Sequence, residues 1–374
     1  MSQAWQDDSR FQSAPPPVPG QAIGVCSVVY LMVLTGIAAA IWFWSEDWWL
    51  SMILVYSPKA PLAIPAGFLL LCALAFRPRW VFVNLLSLAV VFGPIMGFVA
   101  PLSRWSQGVV TESPDDLRIV SCNIQAFRPD FATVIEELAE HRPDIVAFQE
   151  VQGEDHPLLS KFFAGWNVAR NDGYWVGSKY PVRLIQPIAT KTFDRIAGVI
   201  AEVDLPTGTV LVADIHLMTA RRSLGELTPK AILAGYGPDI IVPHQAEREE
   251  EVMEIRLQID DLRGAKPVIV LGDFNTPSTS SLFRRWWGEY HNAFDEAGFG
   301  FGYTSPCRKN QRYWFDDTPW VRIDHVLCSP EWEVVSSDVG TRDGSDHRLI
   351  AASVRLMSVP TSQVTSREAQ PPTD

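Results

Sequence analysis

Gly272-Asp273-Phe274-Asn275 follows the apolar run Pro267-Val268-Ile269-Val270-Leu271 and sets an acid and an amide two residues apart. Residues i and i+2 of an extended chain point to the same side. Asp273 and Asn275 are therefore expected to face one pocket, with Phe274 packed behind them. The acid can take a proton from water, and the amide can hold an oxyanion. A turn after any strand can look the same, so the weight of the tetrapeptide comes from recurrence. Asn123 closes Val120-Ser121-Cys122-Asn123, and Glu150 closes Ile145-Val146-Ala147-Phe148-Gln149-Glu150. Asp214 and His216, again two apart, close a third run. Asp324 sits inside Arg322-Ile323-Asp324-His325-Val326, and Ser345-Asp346-His347 precedes the last run. Asp324 is hard to treat as inert, because a buried carboxylate is costly unless paired. His347 is available as its partner.

The set is rich in oxygen and free of thiols. Glu150, Asp346 and Asn123 are hard ligands that suit Mg2+ or Mn2+ better than zinc. No Gly-x-x-x-x-Gly-Lys loop points to nucleotide triphosphate use, and no Gly-x-Ser-x-Gly elbow points to a serine hydrolase. Metal-assisted hydrolysis of a phosphate ester fits this donor set.

These residues must be held by strands. Apolar, β-branched runs predict strands at 117–124, 144–151, 174–178, 198–205, 209–217, 267–274, 322–328 and 349–356. A helix is predicted over 131–139 with Asp130 as N-cap. A second, over 247–262, has a stripe of Val252, Ile255, Ile259 and Leu262. The Pro- and Gly-containing stretch 220–248 reads as an insertion loop near the mouth of the pocket. Residues 1–21 and 358–374 read as disordered tails.

The chain has 374 residues and a formal net charge of −12, unevenly spread. Residues 23–100 carry only Glu46, Asp47, Lys59, Arg77 and Arg79 as charges. Apolar stretches at 23–44, 60–76 and 81–100 predict three transmembrane helices, the second at the short limit for a core of ~30 Å. The first lacks the basic n-region of a cleaved signal peptide. Residues 22–105 are thus expected to form a membrane domain and 106–357 an acidic soluble one. Arg77-Pro78-Arg79 makes a basic turn expected in the cytoplasm, which places the soluble domain outside the cytoplasm. Outside, a Cys307–Cys328 disulfide is open, beside buried free thiols.

In order, Ser121-Cys122-Asn123, Gln149-Glu150-Val151, Asp214-Ile215-His216-Leu217, Gly272-Asp273-Phe274-Asn275, Ile323-Asp324-His325 and Ser345-Asp346-His347 resemble the motifs of the endonuclease/exonuclease/phosphatase superfamily. Gly177-Ser178-Lys179-Tyr180-Pro181 resembles its Ser-Arg-x-Pro segment, with Lys for Arg. The resemblance spans about 117–356. It implies an α/β (α+β) fold, a four-layer α/β sandwich with two central, mostly antiparallel sheets, and a pocket at one end. It also implies that Glu150 binds the metal with Asn123 and Asp346 nearby, and that Asp273 orients or deprotonates water. Asn275 would hold the phosphate, Asp324 would orient His347 toward phosphoryl oxygens, and His216 would stabilise developing charge. Substrates left open are nucleic acid, a phospholipid headgroup and a small diester. The acidic balance disfavours DNA, because backbone binding relies on Lys and Arg clusters. Arg284-Arg285-Trp286-Trp287 reads either as a basic-aromatic lip or as an ordinary solvated helix face. A catalytically inactive binding or scaffold module on the same fold is the alternative to an enzyme.

Overall fold

The computed structural model describes residues 19–102, 111–128, 130–153, 156–307 and 318–357. The expected tail from 358 onward and most of the N-terminal one lie outside the described residues. The described chain forms two compact units, one of residues 19–39 and 59–96, the other of 40–58 and 97–357.

In the first unit, apolar composition drives helix formation over Pro19–Ala39, Ala63–Phe76 and Val81–Val90. Two helical stretches are long and apolar enough to cross a membrane, Gln21–Asp47 and Pro78–Ile95. The expected middle span departs from that reading. Ala60–Phe76 reaches membrane length only together with Trp49–Tyr56, from which it is bent by 93°. Ser57, Pro58 and Pro61 lie at the break, and proline cannot continue the helical hydrogen-bond ladder. Trp49–Tyr56 instead belongs to the second unit.

The second unit is built on two six-stranded sheets. Its strands are β1 (Leu117–Asn123), β2 (Ile145–Val151), β3 (Asn167–Asn171), β4 (Gly173–Ser178), β5 (Val182–Thr190), β6 (Arg195–Leu205), β7 (Gly208–His216), β8 (Val268–Asp273), β9 (His291–Asn292), β10 (Asp324–Cys328), β11 (Trp332–Val339) and β12 (Ile350–Leu356). One sheet runs β11-β12-β1-β2-β4-β3 and the other β5-β6-β7-β8-β10-β9. Pairing is antiparallel except for β1 with β2 and β7 with β8. Both faces of each sheet are covered, so the central strands read as continuous apolar runs. Leu117, Ile119, Ile145 and Ala147 of one sheet meet Val210, Val212, Ile269 and Leu271 of the other in the central core. The helices Phe131–Glu140 and Pro157–Phe162 cover the outer face of the first sheet. The helices Gly237–Arg263 and Ser281–Trp287 cover the second. The result is a four-layer α/β sandwich.

The stretch expected to be an insertion loop is helical. Arg221–Glu226, Pro229–Leu233 and the first turns of Gly237–Arg263 occupy it, with Pro243 inside the last helix. All five cysteines are free thiols, and Cys307 and Cys328 are buried. Arg284 and Arg285 do not form a free basic lip. Arg285 bonds Asp47 at 3.1 Å and also Glu249, Arg284 bonds the Trp42 carbonyl, and Trp287 is buried.

Candidate active site

Side chains on the inner faces of both sheets change character along the strands with period two. On β1 they run Leu117, Ile119, Ser121, Asn123; on β2 Ile145, Ala147, Gln149. On β7 they run Val210, Val212, Asp214, His216; on β8 Ile269, Leu271, Asp273. The apolar interlayer thus turns polar at the C-terminal ends of both parallel pairs. Strand register assembles part of the site directly. His216 lies beside Asp273 in the β7–β8 ladder, and Asp324 lies opposite Asp273 in the β8–β10 ladder. Neighbours in one rung share a face, so these three side chains converge.

Glu150 arrives by another route. Its neighbour Gln149 already faces inward, so a regular strand would turn Glu150 outward. The β2–β4 register shifts between Gln149 and Val151, and Glu150 has φ +57°. Such a bulge re-aims a side chain. The Glu150 carboxylate then accepts from Asn123 Nδ2 at 2.9 Å, and the same amide reaches Asp273 Oδ2 at 3.2 Å. Gly272 permits the close approach of β8 to β7, since a Cβ there would lie 2.0 Å from the Ile215 carbonyl oxygen.

Asp273 and Asn275 both line the cleft, while Phe274 packs against Phe283, Trp287 and His325. The chain does not stay extended to achieve this. Asn275 has φ +47°, its N–H donates to Asp273 Oδ1 at 2.9 Å, and its Nδ2 donates to the Leu217 carbonyl at 2.9 Å. Asp324 binds His347 Nδ1 through Oδ2 at 2.8 Å, and both side chains are fully buried. His347 Nε2 is 3.6 Å from Asp273 Oδ2, and His216 Nε2 is 3.5 Å from the same oxygen.

Charge follows from this geometry. Burial would raise the Asp273 carboxyl, but His347, His216, the Asn275 N–H and the Asn123 amide outweigh it and hold it below the usual range. Burial lifts the Asp324 carboxyl, and His347 only partly offsets this. Burial also opposes a proton on His347, yet the two carboxylates facing it push the imidazole up to about 10. His347 is therefore the member of the pair that carries the proton, with Nε2 3.4 Å from Ser305 Oγ and 3.6 Å from Asp273 Oδ2. Beneath the site, Gln149 Nε2 bridges Ser121 Oγ at 3.1 Å and Asp214 Oδ1 at 2.5 Å. Burial raises Asp214 well above a normal carboxyl, against the Gln149 hydrogen bond that ties the two sheets together.

The cleft is lined by Glu150, Arg195, His216, Leu217, Met218, Thr219, Arg221, Asp273, Asn275, Asp346 and His347, with about 220 Å³ of room. That is below the ~300–1,000 Å³ of pockets that enclose whole ligands; it suits a phosphoryl centre whose substituents stay outside. Two hard-oxygen side chains there could take part in holding a divalent cation. The Glu150 side chain is 39% exposed, and Asp346 Oδ1 is buried without a hydrogen-bond partner among the described residues. Asp273, Asp324 and His347 also offer three ligand atoms within 4.8 Å of one another. These three already bond and pair with one another. Arg195 and Arg221 are site residues that sequence reasoning passed over. Arg195 carried no signal, and Arg221 showed only as half of an Arg-Arg pair. Lys179, which resembled a family motif, pairs with Asp144 at 3.0 Å, at the opposite end of β2 from Glu150.

A family model for the endonuclease/exonuclease/phosphatase family matches residues 120–347, and the chain belongs to that family. Enzymes of the family typically hydrolyse phosphoester bonds. Among solved structures, truncated TDP2 of Caenorhabditis elegans is similar at 18% identity, covering 64% of this chain and 97% of its own, with a TM-score of 0.49. A 3′ phosphatase, NExo from Neisseria, bound to a product DNA hairpin, is similar at 17% identity, 63% and 98% coverage and 0.45. The mannosyl-6-phosphatase Bt3783 of Bacteroides thetaiotaomicron VPI-5482 gives 14%, 64%, 100% and 0.46. No curated protein sequence matches the chain.

Proposed function

We propose that this chain is a membrane-anchored, divalent-metal-dependent phosphoesterase that hydrolyses phosphodiester or phosphomonoester bonds by attack of water. The observation that carries the reading is the convergence of Glu150, His216, Asp273, Asn275, Asp346 and His347, drawn from both sheets, on one cleft. Mg2+ or Mn2+ held by Glu150 and Asp346 would supply Lewis-acid charge to the phosphoryl oxygens. Asn123 holds Glu150 and Asp273 in place through one amide. Asp273, kept anionic by two histidines, orients the attacking water more than it stores its proton. His347, steadied by Asp324, places an N–H where negative charge develops, and His216 stands across Asp273 from it. Asn275 and Arg221 hold phosphoryl oxygens at the rim.

The net charge of −12 favours a small phosphate ester or a phospholipid headgroup over a nucleic-acid backbone. Two membrane-length helices support anchoring; with Ala60–Phe76 as a short third span and the Arg77-Pro78-Arg79 turn in the cytoplasm, residues 45–59 and the catalytic unit fall together outside the cytoplasm. The test uses the full chain in detergent micelles with bis-p-nitrophenyl phosphate, DNA and phospholipid, each with Mg2+ or Mn2+ and with EDTA. Turnover that requires the metal is expected on at least one. Absence of metal-dependent turnover on all three sinks the enzyme reading in favour of a scaffold module.

A further inference from the structure

The segment 40–58 lies in sequence between two apolar stretches, yet it packs within the sheet unit. Met52 is buried against Ala220 and Ile241, and Trp320 Nε1 donates to the Tyr56 carbonyl at 3.0 Å. The Tyr56 hydroxyl lies 3.1 Å from the Asn275 carbonyl oxygen and 3.3 Å from Glu46 Oε1, and it accepts from Arg248 Nη2 at 3.1 Å. Arg248 is 2% exposed. It donates to the Met218 carbonyl at 3.0 Å, Gln245 Oε1 at 2.8 Å, the Asn275 carbonyl at 3.0 Å and Thr276 Oγ1 at 2.8 Å. All of these partners are neutral, and a buried cation needs compensating charge. Glu46, itself buried, brings a carboxylate to the other side of the Tyr56 hydroxyl.

Arg248 thus ties the loop after β7 to the loop after β8, the two that carry Met218 and Asn275 into the cleft. Asn tolerates a left-handed backbone better than most residues with a Cβ, and here the Asn275 carbonyl is fixed by Arg248 and Tyr56 together. We propose that Tyr56, backed by Glu46, is a positioning residue of the active site. Through Arg248 and the Asn275 carbonyl it holds the Asp273–Asn275 turn, so the link between the apolar helices completes the site. The kinetic arm of the test rests on the phosphoesterase reading; the exchange arm does not.

The test compares full-length wild type, Tyr56→Phe, Glu46→Gln and Met52→Ala in detergent micelles. Met52→Ala loosens the same segment without touching the hydrogen bonds. Amide hydrogen exchange over residues 272–278 is expected to rise about tenfold in Tyr56→Phe and less in Glu46→Gln, as local opening free energy falls. In Met52→Ala it stays near wild type while the melting temperature drops. With bis-p-nitrophenyl phosphate, Tyr56→Phe is expected to lower kcat about tenfold, ~1.4 kcal/mol, with KM within twofold. Unchanged exchange over 272–278 in Tyr56→Phe overturns the inference, as does an equal rise in Met52→Ala. If wild type shows no turnover, the phosphoesterase reading fails while exchange still decides the role of Tyr56.

Discussion

The two ends of the central strands treat their carboxylates in opposite ways. At the leading ends, acids meet strong cations. Asp116, just before β1, binds Arg355 at 2.7 Å, and Asp144, just before β2, is held by Arg118 and Lys179. Lys266, just before β8, reaches Glu202 at 3.3 Å. At the other end of the sheets, where β2 and β8 finish and the antiparallel β10 begins, Glu150, Asp273, Asp324 and Asp346 crowd together with amides and histidines, and one Asp346 oxygen has no hydrogen-bond partner among the described residues. Like charges facing each other across strands destabilise a sheet. The leading end of β1, β2 and β8 therefore carries charge that stabilises, and the other end carries like charges that cost stability. Substitutions at the two ends should separate activity from stability.

The largest effect is expected from Asp273→Asn in the full chain. The amide keeps the size of the side chain and an acceptor for the Asn275 N–H, but it removes the anion that two histidines face. Turnover of bis-p-nitrophenyl phosphate is expected to fall by about 10³-fold, within the range for acid–base and charge-stabilising groups. The melting temperature should move by only a few degrees. A large loss of stability with proportionate loss of activity would erase the contrast between the ends.

Glu150→Gln is expected to cost less, about 10²-fold at low metal, with part of the loss recovered as Mn2+ is raised. A metal titration of activity reads this directly. If the variant needs no more Mn2+ than wild type, Glu150 is not a metal ligand, and the exposed carboxylate has another role.

The same contrast explains what the sequence made legible. The eight interior strands announce themselves as long apolar runs because both their faces are covered. The four that escape notice, β3, β5, β9 and β11, are the four sheet edges. Edge strands are short, carry polar residues or tolerate proline; β5 contains Pro187 and β9 has two residues. The i, i+2 rule expects Asp214 with His216 and Asp273 with Asn275 to share a side; β7 and β8 run regularly to their ends, but Asn275 lines the cleft through a left-handed turn bonded to distant Arg248 and Tyr56. The rule offered no account of Glu150, whose direction depends on a bulge. Local sequence also hid Trp49–Tyr56, which falls between the expected spans yet forms a helix that packs in the sheet unit.

The smallest effect tests the leading end by itself. Asp144 accepts from the Arg118 N–H at 3.0 Å, from Arg118 Nε at 3.2 Å and from Lys179 Nζ at 3.0 Å. Burial would raise its carboxyl, but the Arg118 and Lys179 bonds outweigh this and hold it below the usual range. A depressed folded pKa means that ionised Asp144 stabilises the fold above the unfolded value of ~3.9 and stops doing so as pH falls through the folded one. Both cations are more than a third exposed, which discounts the pair for solvent screening. Asp144→Asn is thus expected to cost about 1 kcal/mol at pH 7 and to leave kcat unchanged. Denaturant unfolding of the full chain in micelles should show that gap holding to about pH 5 and closing below ~pH 4. A gap that does not narrow between pH 5 and pH 3 would mean that packing, and not charge, holds the leading end of β2. A fall in kcat would mean that the two ends of the strand are coupled.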